Sequence, residues 1–156
     1  MLYDTISMNY VREDATLPIS MEEIDSIIKK VEYKSLERIK MRSESRIGIP
    51  DSEMRLVTTS ITSINVDGKK ITNPIGFTGK NIKLGLINVF IPLAHSNVLQ
   101  GIGRGLGKNI ISLIPLIITL PKIVEERNEG SDFNCFLDFG NSKTTIVLQN
   151  NGEILG

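Results

Sequence analysis

Hydrophobic and polar positions change their period several times along the chain, and each change predicts a different element. Residues 5–12 alternate loosely, with Ile6, Met8 and Tyr10 in phase, and predict an opening strand. Pro18 sets an extended approach, and Ser20 followed by Glu23 is a capping box at a helix start. That helix carries Ile24, Ile27, Ile28, Val31 and Ile39, with Glu and Lys on its other side, and is expected to end within 42–45. A connector holding Pro50 follows over 47–52. From 54 to 66 the chain is rich in Thr, Val and Ile, which predicts a long strand. Its apolar spacing breaks between Ile61 and Ile64, the mark of a bulge. Asp67-Gly68 signals a turn, and 73–79 holds too much Gly and Pro for a central strand or a helix.

Residues 84–93 predict another strand, with Ile87, Val89, Ile91 and Leu93 on one face. Ser96 is placed to cap a second helix that carries Leu99, Ile102 and Leu106, loosened by Gly101, Gly103 and Gly105. A short strand over 110–114 and a short helix over 115–124 come next. Pro115 belongs in that helix's first turn, and Pro121 should shorten or bend it. The polar, Gly-containing loop 125–132 marks a boundary by composition. Two apolar strands then flank a turn, the second ending at Asn150, Asn151 and Gly152. The order predicts an α+β layer, a small antiparallel sheet with two helices packed on one face, followed by the start of a different unit.

Composition narrows the function classes. A chain of 156 residues fits one domain, or one small domain and part of another. Eighteen basic residues balance eighteen acidic ones, so no overall field draws it to nucleic acid or to an anionic membrane. Aromatic residues are scarce and Trp is absent, which leaves little stacking surface for single-stranded nucleic acid. One cysteine, Cys135, permits no intramolecular disulfide; flanked by Phe133 and Phe136, it is expected to be a buried thiol. The longest apolar stretch, 110–120, is too short to span a bilayer and contains Pro115. With no basic-then-apolar leader, the expectation is a soluble cytoplasmic chain. His95 is the sole histidine, which gives no support to a multi-His metal site or a Cys–His nucleophile pair. In the Gly-rich run 101–107, Leu106 stands where a dinucleotide loop needs its third glycine, so the run is read as a loosened helix end. The charged stretch 34–46, interrupted by Glu37 and Glu44, is expected to be a solvated helix face.

The candidate chemistry lies in the run Phe136-Leu137-Asp138-Phe139-Gly140-Asn141-Ser142-Lys143-Thr144-Thr145. A hydrophobic strand delivers one carboxylate to a tight turn, and the chain leaves as a second strand. Such a hairpin can hold backbone N–H groups and short hydroxyls around a phosphate, with Asp138 placed for a metal or its water. An ordinary β-hairpin with Gly140-Asn141 as its turn would need no ligand at all.

Upstream residues favour the phosphate loop. Val66-Asp67-Gly68 followed by Ile71-Thr72-Asn73-Pro74-Ile75-Gly76-Phe77-Thr78-Gly79 resembles the "vDg…i.nPiGm.G" signature of FtsA, the actin-like ATPase of bacterial cell division. Ser20 to Glu23 and the following helix resemble the first helix of that family's 1C subdomain, and 84–106 its next strand and second helix. Ile114-Pro115-Leu116 resembles the "ePlAsa" opening of subdomain IIA, and the Asp138 run falls at the family's second phosphate motif, "DiGggTtdia". The resemblance, from Ile6 to Leu155, implies a 1C-like subdomain over 1–108 and a truncated N-terminal part of an actin-like (ribonuclease H-like) subdomain IIA over 109–156.

On that resemblance Asp138 lies near the nucleotide's metal or its water. Gly140, Asn141 and Ser142 turn about the phosphates, Lys143 holds phosphate or points to solvent, and Thr144 keeps its hydroxyl nearby. Asn141 and Ser142 replace two family glycines, which reduces backbone freedom, and Thr145 replaces an acidic residue. These departures imply phosphate binding without efficient hydrolysis. The family uses ATP and Mg²⁺; this chain alone is expected to hold neither, or nucleotide only at millimolar affinity, about −4 kcal/mol. The second strand of the hairpin is expected to be short, its apolar face without a partner layer. The implied function is a protein–protein interaction module for protomer polymerisation and divisome contacts, without chemistry of its own, at the inner face of the membrane at the division site. Its partners would be other FtsA protomers and divisome proteins, FtsZ being reached only through subdomains outside this chain; nucleic acid and direct membrane contact are not expected. The alternatives are an actin-like ATP-binding protein completed by other subdomains, and a component resembling the pilus-assembly protein PilM.

Overall fold

The apolar run 82–91 forms the middle of a four-stranded antiparallel sheet in the computed structural model, which describes residues 1–47, 53–125, 132–141 and 144–155. The elements are β1 (Leu2–Val11), α1 (Met21–Ile47), β2 (Met54–Val66), β3 (Lys69–Lys70), β4 (Asn81–Pro92), α2 (Leu93–Gly105), α3 (Leu116–Glu125), β5 (Phe133–Phe139), β6 (Thr144–Asn150) and β7 (Glu153–Ile154). The sheets run in the orders β1-β4-β2-β3 and β5-β6-β7. The chain is α+β, and its contacts divide it into two units, Met1–Leu113 and Ile114–Gly156. Most of the connector 47–52 and of the polar loop 125–132 falls outside the described residues.

In the first unit β4 pairs along its length with β1, from Leu2↔Phe90 to Val11↔Asn81, and with β2, from Met54↔Pro92 to Val66↔Ile82. The register of β2 shifts between Ile61 and Ser63, at the break in apolar spacing, and again between Leu56 and Thr58. The second shift leaves no mark on the pattern, because Leu56-Val57 reads like any apolar strand. β4 is buried on both faces, a wider burial than the single face its alternation predicts. Ile82, Leu84 and Leu86 join Ile64 and Val66 under Ile24, Ile27 and Val31 of α1, while Ile87, Val89 and Ile91 are buried on the other face.

The inward seam of α1 is Ile24, Ile27, Val31, Ser35 and Ile39. Ser35 belongs there because a buried carboxylate, Asp4, lies beneath it and accepts its hydroxyl at 2.7 Å. Arg38 and Arg42 reach the same carboxylate at 3.5 and 3.4 Å, so the charged stretch is not solvated throughout. In register with Asp4 stand Asn88 and then Thr59, whose hydroxyl lies 2.6 Å from Glu32 Oε1 and 2.9 Å from the Asn88 amide. A hydroxyl carries one proton, and the shorter contact to the carboxylate takes it. The Asn88 Nδ2 beside it is buried without a hydrogen-bond partner among the described residues.

Ser96 does not cap α2. The helix starts at Leu93 after Pro92, whose φ of −56° and ψ of 138° turn the chain in without a side-chain cap. Ser96 is buried inside the helix and accepts a hydrogen bond from Arg55 Nη1 at 3.2 Å. Arg55 stands beside Ile91, on the sheet face away from α1, so the two helices do not share one face. Nor do Leu99, Ile102 and Leu106 pack inward; the buried positions of α2 are Ser96 and Gly103. The Gly-rich run is a helix end, closed by Gly107 at φ 63°, Gly107 N–H to Arg104 O (3.0 Å) and Lys108 N–H to Gly103 O (2.8 Å). No strand forms over 110–114.

In the second unit the Pro115 carbonyl accepts N–H bonds from Ile118 and Thr119, and α3 runs past Pro121 to Glu125. β5 and β6 pair from Phe133↔Asn150 to Phe139↔Thr144. β6 has seven residues and continues through a tight turn at Asn151 and Gly152, both at positive φ, into β7. The hairpin is therefore longer than its sequence predicts. One of its faces has a partner layer: α3 packs on β6, and Ile117, Ile118, Phe136, Val147 and Ile154 are buried.

Candidate functional site

Strand alternation sorts the described residues of the candidate phosphate loop onto two faces. Asp138 is half-buried at the end of β5, in register with Thr145 and in phase with the buried Phe136. Gly140 and Asn141 are exposed beyond it. Thr144 stands opposite Phe139 on the other face, so the hydroxyl residue that shares a face with Asp138 is Thr145. Ser142 and Lys143 lie outside the described residues. Among the described residues no three His, Cys, Asp or Glu side chains gather to hold a metal ion. The turn offers one carboxylate and exposed backbone. Cys135 is exposed, not buried, because it alternates with Phe136.

The Asn-Pro-Ile-Gly segment over 73–79 is built quite differently, as a clamp. Asn73 Oδ1 accepts the Ile75 N–H at 3.1 Å, Pro74 O accepts the Phe77 N–H at 3.1 Å, and Gly76 takes a φ of 85° that favours glycine. The loop then runs antiparallel to the lead into α1. Gly76 N–H donates to Ile19 O (2.9 Å), Ile19 N–H to Phe77 O (2.8 Å), and Gly79 N–H to Ala15 O (3.1 Å).

Arg12 locks these two loops together. Its buried guanidinium donates from Nε to Glu23 Oε1 at 2.8 Å and from Nη1 to Leu17 O at 2.8 Å and Gly79 O at 3.0 Å. The hydrogen bond to Glu23 raises the Arg12 pKa above its ordinary value against the opposing cost of burial. Only half of the capping box forms in consequence. Ser20 Oγ accepts the Glu23 N–H at 3.2 Å, while the Glu23 carboxylate serves Arg12. No periodicity marks Arg12, because its partners other than Glu23 are backbone carbonyls.

Asp67 closes the far side of the clamp. Its carboxylate accepts the backbone N–H groups of Asn81 (2.8 Å) and Lys80 (3.0 Å), which hold its carboxyl below the usual range. A β-carbon at Gly79 would collide with Val66 Cγ1 and stand 2.8 Å from Asp67 Oδ2, so the close approach requires glycine. Around this fixed backbone Leu17, Met21 and Phe77 turn outward, 57, 57 and 50% exposed.

No protein-family model matches the chain, and no curated protein matches it significantly. No helix among the described residues is long and apolar enough to cross a membrane.

Proposed function

We propose that this chain is an FtsA-like interaction module that binds protomers of an actin-like cell-division protein and other division proteins, without chemistry of its own. The observation that carries this reading is the clamp. Arg12 and Asp67 tie two irregular loops together, and the loops present Leu17 and Phe77 to solvent beside Met21 at the start of α1. Aromatic and Met side chains are enriched at interface cores, and a backbone already ordered loses little further entropy on binding. Under this reading the first sheet and α1 are the 1C-like scaffold, and the β5–β6 hairpin is the first hairpin of an actin-like subdomain. The complex would sit at the inner face of the membrane at the division site through elements other than this chain.

Titration into a full-length FtsA-type protomer tests the reading. Saturable binding is expected, weakened at least about tenfold by Phe77→Asp, because a carboxylate replaces an apolar anchor. Circular dichroism of the variant should match that of the parent, since Phe77 is half exposed. Absence of binding, or binding indifferent to Phe77→Asp and Leu17→Asp alike, would overturn it.

A second reading, ATP binding through the hairpin, has one specific observation in its favour: Asp138 and Thr145 share a face beside the Gly140-Asn141 turn. Amide shifts at Gly140, Asn141 and Thr144 during titration with ATP and Mg²⁺ separate the two. Silence at millimolar nucleotide leaves the interaction module alone.

A further inference from the structure

The second sheet has one covered face and one bare one. On the bare face Phe133, Leu137, Phe139 and Ile146 are 55, 51, 77 and 52% exposed, and Leu148 is 36% exposed. They form one continuous surface, because the register sets Leu137 beside Ile146 and Cys135 beside Leu148. No charged residue stands on this face among the described residues of β5 and β6; its ends are Thr144 and Asn150. Single exposed apolar side chains are ordinary, whereas a contiguous patch of roughly 600 Å² marks a contact surface.

We propose that this face is the interface of a symmetric homodimer, in which two copies stack sheet on sheet about a two-fold axis. Area is the first argument. Two such faces remove roughly 1,200 Å² from water, the lower edge of the range that stable interfaces occupy. Charge is the second. Among the described residues the one charge on this face is Glu153 of β7, beside Asn150 at its edge, so a different protein recognised by charge would find little to read there, and two copies of a chain with balanced charges meet no net repulsion. Geometry is the third. Apolar sheet faces pack about 10 Å apart with nearly aligned strands, and a two-fold axis lets one such face serve both sides of the contact. The inference concerns the second unit and does not depend on the FtsA-like reading.

Analytical ultracentrifugation of the full chain over the micromolar range tests it, together with the reactivity of Cys135 toward a thiol reagent. A monomer–dimer equilibrium is expected, with Cys135 reactive in dilute solution and protected at high concentration. Leu137→Lys and Ile146→Lys should each weaken the dimer about 100-fold, because each buries an ammonium with no counter-charge. Both positions are exposed in the monomer, so circular dichroism should be unchanged. Three results would overturn the proposal: a monomer at every concentration, a dimer that survives both lysine variants, or Cys135 protected in a monomer regardless of concentration.

Discussion

At Gly79 the chain leaves no room for a β-carbon, and at Asp67 one carboxylate gathers the backbone donors of Lys80 and Asn81 where β4 begins; together they seat the loop that bears Phe77. Gly79→Ala should therefore destabilise the first unit by about 1–3 kcal/mol, read as a lower urea midpoint. For Asp67 the sign follows from its depressed carboxyl pKa. Its contribution is complete above the unfolded carboxylate value and disappears as pH falls through the lower folded value. Urea midpoints measured down an acid series should decline in that window, and Asp67→Asn should flatten the decline. Sequence shows Ser20, Asp67 and Gly76 readily, because capping and turn chemistry are local. It is silent on Arg12, whose bonds run to carbonyls in two separated loops, and it misassigns Cys135, whose exposure depends on which face of its sheet is covered.

Helices and strands repeat the same division between local and tertiary causes. The long strand 54–66 and the start of α1 follow from residue type and spacing, and both are where the sequence puts them. α2 is also present, but turned: it buries small residues, Ser96 and Gly103, and leaves its large apolar ones outside, a choice made by Arg55 and by the returning chain at Ile110. The strand expected over 110–114 has apolar residues in sequence but pairs with no strand among the described residues. In α1 the polar break in the seam has a measurable value. Ser35→Ala should cost about 2 kcal/mol, since it removes a hydrogen-bond donor from the buried Asp4 carboxylate; a double-mutant cycle with Asp4→Asn isolates the pair.

Across the whole molecule, the α+β class and the antiparallel hairpin were legible from periodicity and turn residues, while the division at Leu113/Ile114 has no compositional marker. The candidate phosphate loop was legible as a turn, but strand register, which sequence spacing does not fix, decides that Asp138 faces Thr145. The central position of β4 carries a consequence in time. β1 and β2 do not pair with each other; each is held by β4, the last strand of its sheet to leave the ribosome. Of this sheet, residues 1–80 therefore hold only the short β2–β3 pairing, and a chain halted before β4 should show no cooperative unfolding until 81–92 is supplied. Its long strands β1 and β2 wait without β4 through most of the unit's synthesis, the interval in which such edges find wrong partners.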